Sequence, residues 1–572
     1  MENPPTKEWA LLVYMAADVS APGMHWAARR NLLQMVDTGS NDQVYVAVQI
    51  DLPGQPTRRY IIPQRPVDRE HWTVLPDTSM QNVNSADPRT ILDFFAWGID
   101  ECPAKNTVLV LWGHGFGLDD YLPTGVSPVS HPAPGPSATT VKSAPVEDLT
   151  VEFPATSFHP DSAIVDEHSH TVLNNDQIGD VVTACRKMVR AGNGDLAILG
   201  LDCCEMAMAE VWCEMSDGAQ IGIGSQASLP YTSWPYDLFL GLLMAKPESA
   251  PDEVAQMLVN SFVESYRTEA AYVTLSACNL ELCSELEAAI KPLAEALTTV
   301  SGDVEAHAGI FSARDSCPVY DADGFIDLDC FCAFLETDVP DDRVRRACGP
   351  VRRALRKFVI DSGYSPQDPD RMIALSKGLS VWFPPWIEDP SISLDQKEGS
   401  EAYLRNGGYG RTKFARSTGW DAFLLKLLDS NRRRGNTEGI MAETDSNQQK
   451  QITAKDEETG MGRTPSMGRT PSMGRTPSMG RTPSMGRTPS MGKGVFGDGS
   501  SRETGVVVRA TVESFGPMGD TELTVTMKWP AGINGVQRIE TPEESSPGPD
   551  DGEPDSDGAL KATAKRKPQP ES

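Results

Sequence analysis

Short, mostly apolar runs alternate with stretches of helical spacing through the first 250 positions. Trp9–Met15, Val44–Ile50, Thr107–Trp112, Leu196–Asp202 and Gln220–Gly224 read as strands. They lack an alternation of inner and outer residues, so the pattern predicts burial on both faces. Tyr60–Ile62 predicts a short edge strand. Trp26–Val36 predicts a helix with Leu32, Leu33 and Val36 on its inner side, and Asp87-Pro88 caps a helix that runs to Glu101. Further helices are predicted over Asp176–Arg190 and Met206–Met215. Beyond residue 250 the pattern gives helices at Pro251–Thr268, Leu280–Thr298 and Trp420–Leu428, and strands at Tyr272–Leu275 and Gly378–Pro384. Strands alternating with helices predict an α/β fold with a mostly parallel sheet covered on both sides.

Two stretches break this pattern. Residues 118–160 are dense in Pro, Ser and Thr and predict a mobile insertion, after which order resumes at Ser162–Val165. From residue 431 the chain turns polar, and Met-Gly-Arg-Thr-Pro-Ser repeats five times from Met461 to Ser490. A proline in every six-residue unit blocks helix and sheet alike, so 431–503 is expected to be a disordered linker. Two Val- and Thr-rich runs, Thr504–Val512 and Thr521–Trp529, flank a Gly-Pro-Met-Gly-Asp turn and predict a small β-hairpin module over 504–538. Residues 539–572 read as a disordered tail, which leaves 1–430 as the main domain.

Charge narrows the partners. The formal net charge of the 572-residue chain is −29, and nearly all of it falls before residue 431. An acidic body repels nucleic acid and anionic membrane and attracts basic ligands, although the same charge also serves solubility. All eleven cysteines lie between Cys102 and Cys348, with no regular disulfide framework, and read as reduced, buried thiols. No signal peptide or membrane span is legible, so the expectation is a cytoplasmic protein without membrane contact.

Candidate chemistry sits where two of the strands stop. The run ending Leu-Trp112-Gly-His114-Gly115 places a histidine between glycines, and the run ending Asp202-Cys203-Cys204 places a carboxylate and two thiols. Parallel strands end on one edge of a sheet, where ligands bind in open α/β folds, so these groups can meet. Either segment alone reads more simply, the histidine as a turn residue and the cysteines as core packing.

Together with their flanking segments they resemble the clostripain family of cysteine endopeptidases, which shares the caspase-like fold with caspases, legumains and gingipains. The resemblance runs in order over about residues 8–430. It is carried by Leu12-Val-Tyr-Met-Ala-Ala-Asp18, Trp112-Gly-His114-Gly115, Asp202-Cys203-Cys204-Glu205-Met206, Gly224-Ser225-Gln226 through Pro230, Trp234-Pro-Tyr236, Gly378 to Pro384, and Thr418-Gly-Trp420. It implies a caspase-like three-layer sandwich. It also implies Cys204 as nucleophile, His114 as proton donor to the leaving amine, and the Gly115 and Cys204 N–H groups as the oxyanion hole. A helix starting just after Cys204 would favour the thiolate.

By the same resemblance Asp202 pairs a basic P1 side chain, and Ser225, Gln226, Thr232 and Trp234 line the pocket. Thr232 stands where some members carry a second aspartate, Gln226 and Ala227 replace glutamates, and Glu205 replaces a leucine. Members are often activated by cutting themselves between the catalytic strands. Lys142 is the only Lys or Arg between His114 and Arg186, and autocleavage is expected after it.

No cofactor is expected. Asp321-Ala-Asp323-Gly324 resembles the middle of an EF-hand loop, but Val319 and Cys330 stand at its first and last positions, so the match fails. His168 and His170 near Asp166 lack zinc spacing with the cysteines. Some relatives bind calcium structurally, and the residues locate no such site. The expected partners are peptides or proteins with Arg or Lys at P1, taken by a monomer. The alternative is a catalytically inactive caspase-like scaffold or interaction protein. The Arg-Thr-Pro-Ser repeats read as a linker in preference to a phosphorylation target.

Overall fold

The computed structural model describes residues 4–64, 81–118, 162–269, 272–320, 324–365, 372–384, 404–405, 408–431, and the backbone of 507–512, 523–528 and 559–564. The strands read from the sequence form β1 (Lys7–Ala16), β2 (Val44–Asp51), β3 (Arg58–Ile62), β4 (Ala104–Trp112), β7 (Asp195–Asp202) and β8 (Ile221–Gly224). With β9 (Thr274–Asn279) and β12 (Val359–Tyr364) they make one eight-stranded sheet in the order β12-β9-β8-β7-β4-β1-β2-β3. The five strands from β8 to β2 run parallel, and the flanking strands are antiparallel.

Successive residues of β1 enter opposite layers. Leu11, Val13 and Met15 pack with α1 (Pro22–Thr38), α5 (Tyr236–Ala245) and α6 (Pro251–Ser265) through Met24, Phe239 and Phe262. Leu12 and Tyr14 face α2 (Pro88–Glu101) and α3 (Asn175–Ala191) through Phe94, Phe95 and Ile178. The same layer continues through α4 (Ala209–Glu214), α7 (Cys283–Val300), α8 (Val304–Asp315), α9 (Leu328–Asp338) and α10 (Asp342–Phe358). Helices on both faces of a mostly parallel sheet are the three-layer α/β sandwich expected of a caspase-like fold.

Two helix readings are corrected. The most buried face of α1 is Met24, Ala27, Ala28, Asn31 and Met35; Leu32 and Val36 pack half-buried beside it as read, while Leu33 is exposed. The two alanines let the helix approach the sheet, and Asn31 accepts a hydrogen bond from Trp112 Nε1 at 3.1 Å. Met206–Met208 is not helical. Ala207 donates its N–H to the Ser225 carbonyl at 2.9 Å and accepts from the Ser380 N–H at 3.0 Å, so these backbone groups are paired outside any helix, and α4 begins at Ala209.

A hairpin of β5 (Ser162–Asp166) and β6 (Thr171–Asn174) follows the insertion, and β10 (Val319–Tyr320), β11 (Phe325–Asp327) and β13 (Ser380–Trp382) form a small antiparallel sheet. The insertion and the repeat linker lie outside the described residues. The carboxy-terminal part of the chain forms a second compact unit. In it, β14 (Val507–Val512) and β15 (Leu523–Lys528) pair as an antiparallel hairpin. A third strand, β16 (Ala559–Ala564), pairs with β15 inside the stretch read as disordered, where six residues free of proline interrupt the charged tail.

Candidate active site

β4 and β7 are neighbours in the sheet, parallel and in register so that Trp112 lies opposite Asp202. The next residue, Gly113, donates its N–H to the Asp202 carbonyl at 3.4 Å. His114 and Cys204 each stand two residues past that matched pair, so both leave the sheet on the same edge. β5 closes over the histidine turn, with Ile164 N–H donating to the His114 carbonyl at 2.9 Å and Ala163 bridging Gly115. The His114 ring stacks on Phe116, centroids 5.6 Å apart.

Both groups are buried, His114 at 3 % exposure and Cys204 at 1 %. Burial pushes the imidazole down to about 4, against a smaller opposing pull from the Glu167 carboxylate, so it is neutral near pH 7. The two adjacent thiols part company. Cys203 donates to the Leu111 carbonyl at 3.4 Å and packs in the layer of α2 and α3, where burial pushes its thiol well up. Cys204 packs in the opposite layer, and its Sγ accepts the Leu229 N–H at 3.2 Å. The expected helix start after Cys204 is replaced by Glu205, in left-handed backbone at φ +62°, and by the extended Met206–Met208.

Asp202 is fully buried. Its Oδ2 accepts from Ser233 Oγ at 2.5 Å and Tyr236 Oη at 2.8 Å, while Oδ1 has no hydrogen-bond partner. Burial pushes this carboxyl up to about 7, and the bonds from Ser233, Tyr236 and the Trp234 N–H oppose that rise.

The other sequence candidates sit differently. Ser225 bonds the Ala227 carbonyl and Thr274, and Gln226 joins Asp327 to the Gly378 N–H, so both knit the end of β8 to neighbouring strands. Thr232 Oγ1 lies 2.5 Å from Tyr266 Oη, and the Trp234 ring packs on β7 at Gly200. Lys142 lies outside the described residues. Sequence reasoning missed Ser233, Tyr236, Leu229 and Glu167. The one local sign was the Trp-Pro-Tyr step that leads into α5.

A separate group of three buried carboxylates, Asp18, Asp51 and Asp166, brings one oxygen from each within 4.8 Å of the others. All-oxygen donors suit a hard cation such as calcium. The three carboxylates also accept bonds from Asn82, Thr57, the Ser85 hydroxyl and N–H, and the Ser169 N–H. Burial also pushes Asp51 up to about 7. The Asp321–Asp323 segment lies outside the described residues.

Residues 164–423 match the family model of the clostripain family. That span includes Asp202, Cys204, Ser225, Gln226, Thr232 and Trp234 and begins after His114, which the β4–β7 register places beside β7. A search of curated proteins finds no match. Among solved structures the chain is similar to a secreted C11 cysteine protease from Bacteroides thetaiotaomicron in complex with an irreversible peptide inhibitor. That likeness has 15 % identity and a TM-score of 0.47, covering 72 % of this chain and 99 % of that one. It is also similar to an inactive zymogen C11 protease from Parabacteroides distasonis, with 16 % identity, a TM-score of 0.47, and coverage of 73 % and 99 %.

The expected cytoplasmic placement is corrected, because the Bacteroides thetaiotaomicron protease is secreted. Among the described residues no helix is long and apolar enough to cross a membrane, and that fact assigns no compartment. Over residues 164–423 the chain thus resembles the clostripain family.

Proposed function

We propose that the chain is a cysteine endopeptidase that cuts after Arg or Lys with Cys204 as nucleophile and His114 as its proton partner. The observation that carries the reading is the Trp112–Asp202 register, which sends both groups off one edge of the sheet. His114, neutral near pH 7, takes the thiol proton as Sγ attacks the scissile carbonyl carbon. The Gly115 and Cys204 N–H groups take the oxyanion as it forms. His114 then gives its proton to the departing amine, and water hydrolyses the thioester.

Asp202 supports the P1 assignment. A buried carboxylate oxygen with no partner is an unmet acceptor, and a guanidinium or ammonium meets it. The site is closed in this state, and cleavage at Lys142 in the insertion is the step we assign to opening it.

The test measures turnover of peptides with Arg, Lys or Asp at P1 under reducing conditions, before and after limited proteolysis, with Cys204→Ala and His114→Ala as controls. Turnover of Arg or Lys peptides that both substitutions abolish supports the reading. No turnover in either state would leave the inactive scaffold, which the burial of both groups also suits. A Cys204→Ala chain that is cut at Lys142 as fast as wild type would remove self-activation.

A further inference from the structure

Glu205 follows the proposed nucleophile in backbone that side chains rarely adopt, φ +62°. A left-handed non-glycine residue costs about 1 kcal/mol or more and persists only where its surroundings hold it. Here the holding contacts are visible. The Glu205 side chain is buried and its carboxylate accepts from Ser228 Oγ at 2.5 Å. The Glu205 N–H donates to the Ala227 carbonyl at 3.2 Å, and the Ala207 N–H to the Ser225 carbonyl at 2.9 Å. The chain after Cys204 thus lies along the chain that leaves β8. One residue past Ser228, the Leu229 N–H reaches Cys204 Sγ at 3.2 Å.

We propose that Glu205 is a positioning residue that, through Ser228, holds the Leu229 N–H on Cys204 Sγ. The pair is a latch between the nucleophile and the loop that continues to Thr232, Ser233 and Trp234. An N–H aimed at sulfur favours the anionic form of the thiol, which is the form that attacks. A carboxylate is the strongest acceptor a side chain offers, and a serine hydroxyl bonded to it has little freedom to release the adjoining peptide. The strained backbone at Glu205 is what aims the carboxylate back at Ser228. The inference rests on the reading of Cys204 as nucleophile.

The test uses full-length protein and its Glu205→Leu, Ser228→Ala, Glu205→Gln and double Glu205→Leu/Ser228→Ala variants. Each is alkylated with iodoacetamide from about pH 5 to 10, and modification of Cys204 is read by peptide mass spectrometry. Glu205→Leu and Ser228→Ala are expected to slow alkylation at pH 7 by about tenfold and to raise the midpoint of the rate profile by about one pH unit. The double variant is expected to lose no more than either single one. Glu205→Gln keeps an acceptor for Ser228 and stays within about threefold of wild type.

Unchanged midpoints in both single variants, or losses that multiply in the double, overturn the latch. If Glu205→Leu fails to fold, Ser228→Ala at its half-buried hydroxyl decides alone. The readout needs no turnover. A shifted Cys204 midpoint in a chain that cuts no peptide refutes the peptidase reading and leaves the latch standing.

Discussion

Gly115 and Cys204 touch backbone to backbone: a Cβ at Gly115 would stand 2.4 Å from the Cys204 carbonyl oxygen and 2.7 Å from Cys203 Cβ. No side chain fits there, so Gly115→Ala forces the histidine turn and the cysteine turn apart. We expect kcat/KM to fall by about a hundredfold or more, the scale of losing one oxyanion donor. Peptide turnover measured beside the rate of Cys204 alkylation checks it, because a displaced oxyanion hole lowers turnover while the thiol still reacts.

Asp202, the proposed P1 partner, costs the folded chain stability at neutral pH and above. Its folded carboxyl titrates near 7, above its ordinary value near 3.8, so the folded chain keeps a proton that the unfolded chain has lost. Stability from this group therefore falls as pH rises from about 4 to 7 and stays low above that. Asp202→Asn should raise the melting temperature at pH 8 and have little effect near pH 4. It should also cut kcat/KM on Arg peptides by about two to three orders of magnitude, the cost of leaving a charge unpaired in a buried pocket. Melting curves at the two pH values and one Arg substrate test both halves. A melting temperature unchanged at pH 8 would count against the buried carboxylate.

His114 has the opposite slope. Its folded value, about 4, lies below the ordinary 6.5, so the unfolded chain binds the proton first on acidification. Stability from this group is fully present above about 6.5 and is lost as pH falls toward 4. His114→Gln should flatten the melting profile over that window, as differential scanning calorimetry across pH 4–7 would show.

Asn31 joins α1 to the proposed P1 segment. Its side chain accepts from Trp112 Nε1 at 3.1 Å and donates to the Trp234 carbonyl at 3.3 Å. Asn31→Leu leaves the buried Trp112 indole N–H unmatched, while the Trp234 carbonyl keeps the Tyr236 N–H at 3.1 Å, and we expect a loss of about 1–3 kcal/mol by urea denaturation. The loss should come with a higher KM, since Ser233 and Tyr236 on either side of Trp234 bond Asp202. An unchanged KM would place Asn31 in the framework alone.

Much of this arrangement was legible along the chain. Apolar runs that stop at Gly-His114-Gly and at Asp202-Cys203-Cys204 give both the strands and their reactive ends. What stayed hidden depends on partners far away in sequence. The inner face of α1 rests on Ala27 and Ala28, which carry little hydrophobic signal, and on Asn31, whose burial makes sense only beside Trp112. Met206–Met208 has helical composition, yet Ser225 and Ser380 hold its backbone extended. The bonds of Ser233 and Tyr236 to Asp202, and of Leu229 to Cys204, span 25 to 34 residues and leave no periodic trace. Ser225 and Gln226 took their expected roles from resemblance, and the structure gives their polar atoms to strand junctions instead.

The seam between β4 and β7 also decides what a cut chain would be. Everything through β4 belongs to the amino-terminal side of the insertion and everything from β5 onward to the other, yet the parallel ladder from Asn106 to Trp112 bonds across that divide. Severing the connection between them would leave two polypeptides joined by this strand pair and by bonds such as Ile164 to His114 and Asn31 to Trp234, with the proposed imidazole on the first and the proposed nucleophile on the second. Under the proposed mechanism neither piece would act by itself, and denaturant rather than dilution is expected to part them.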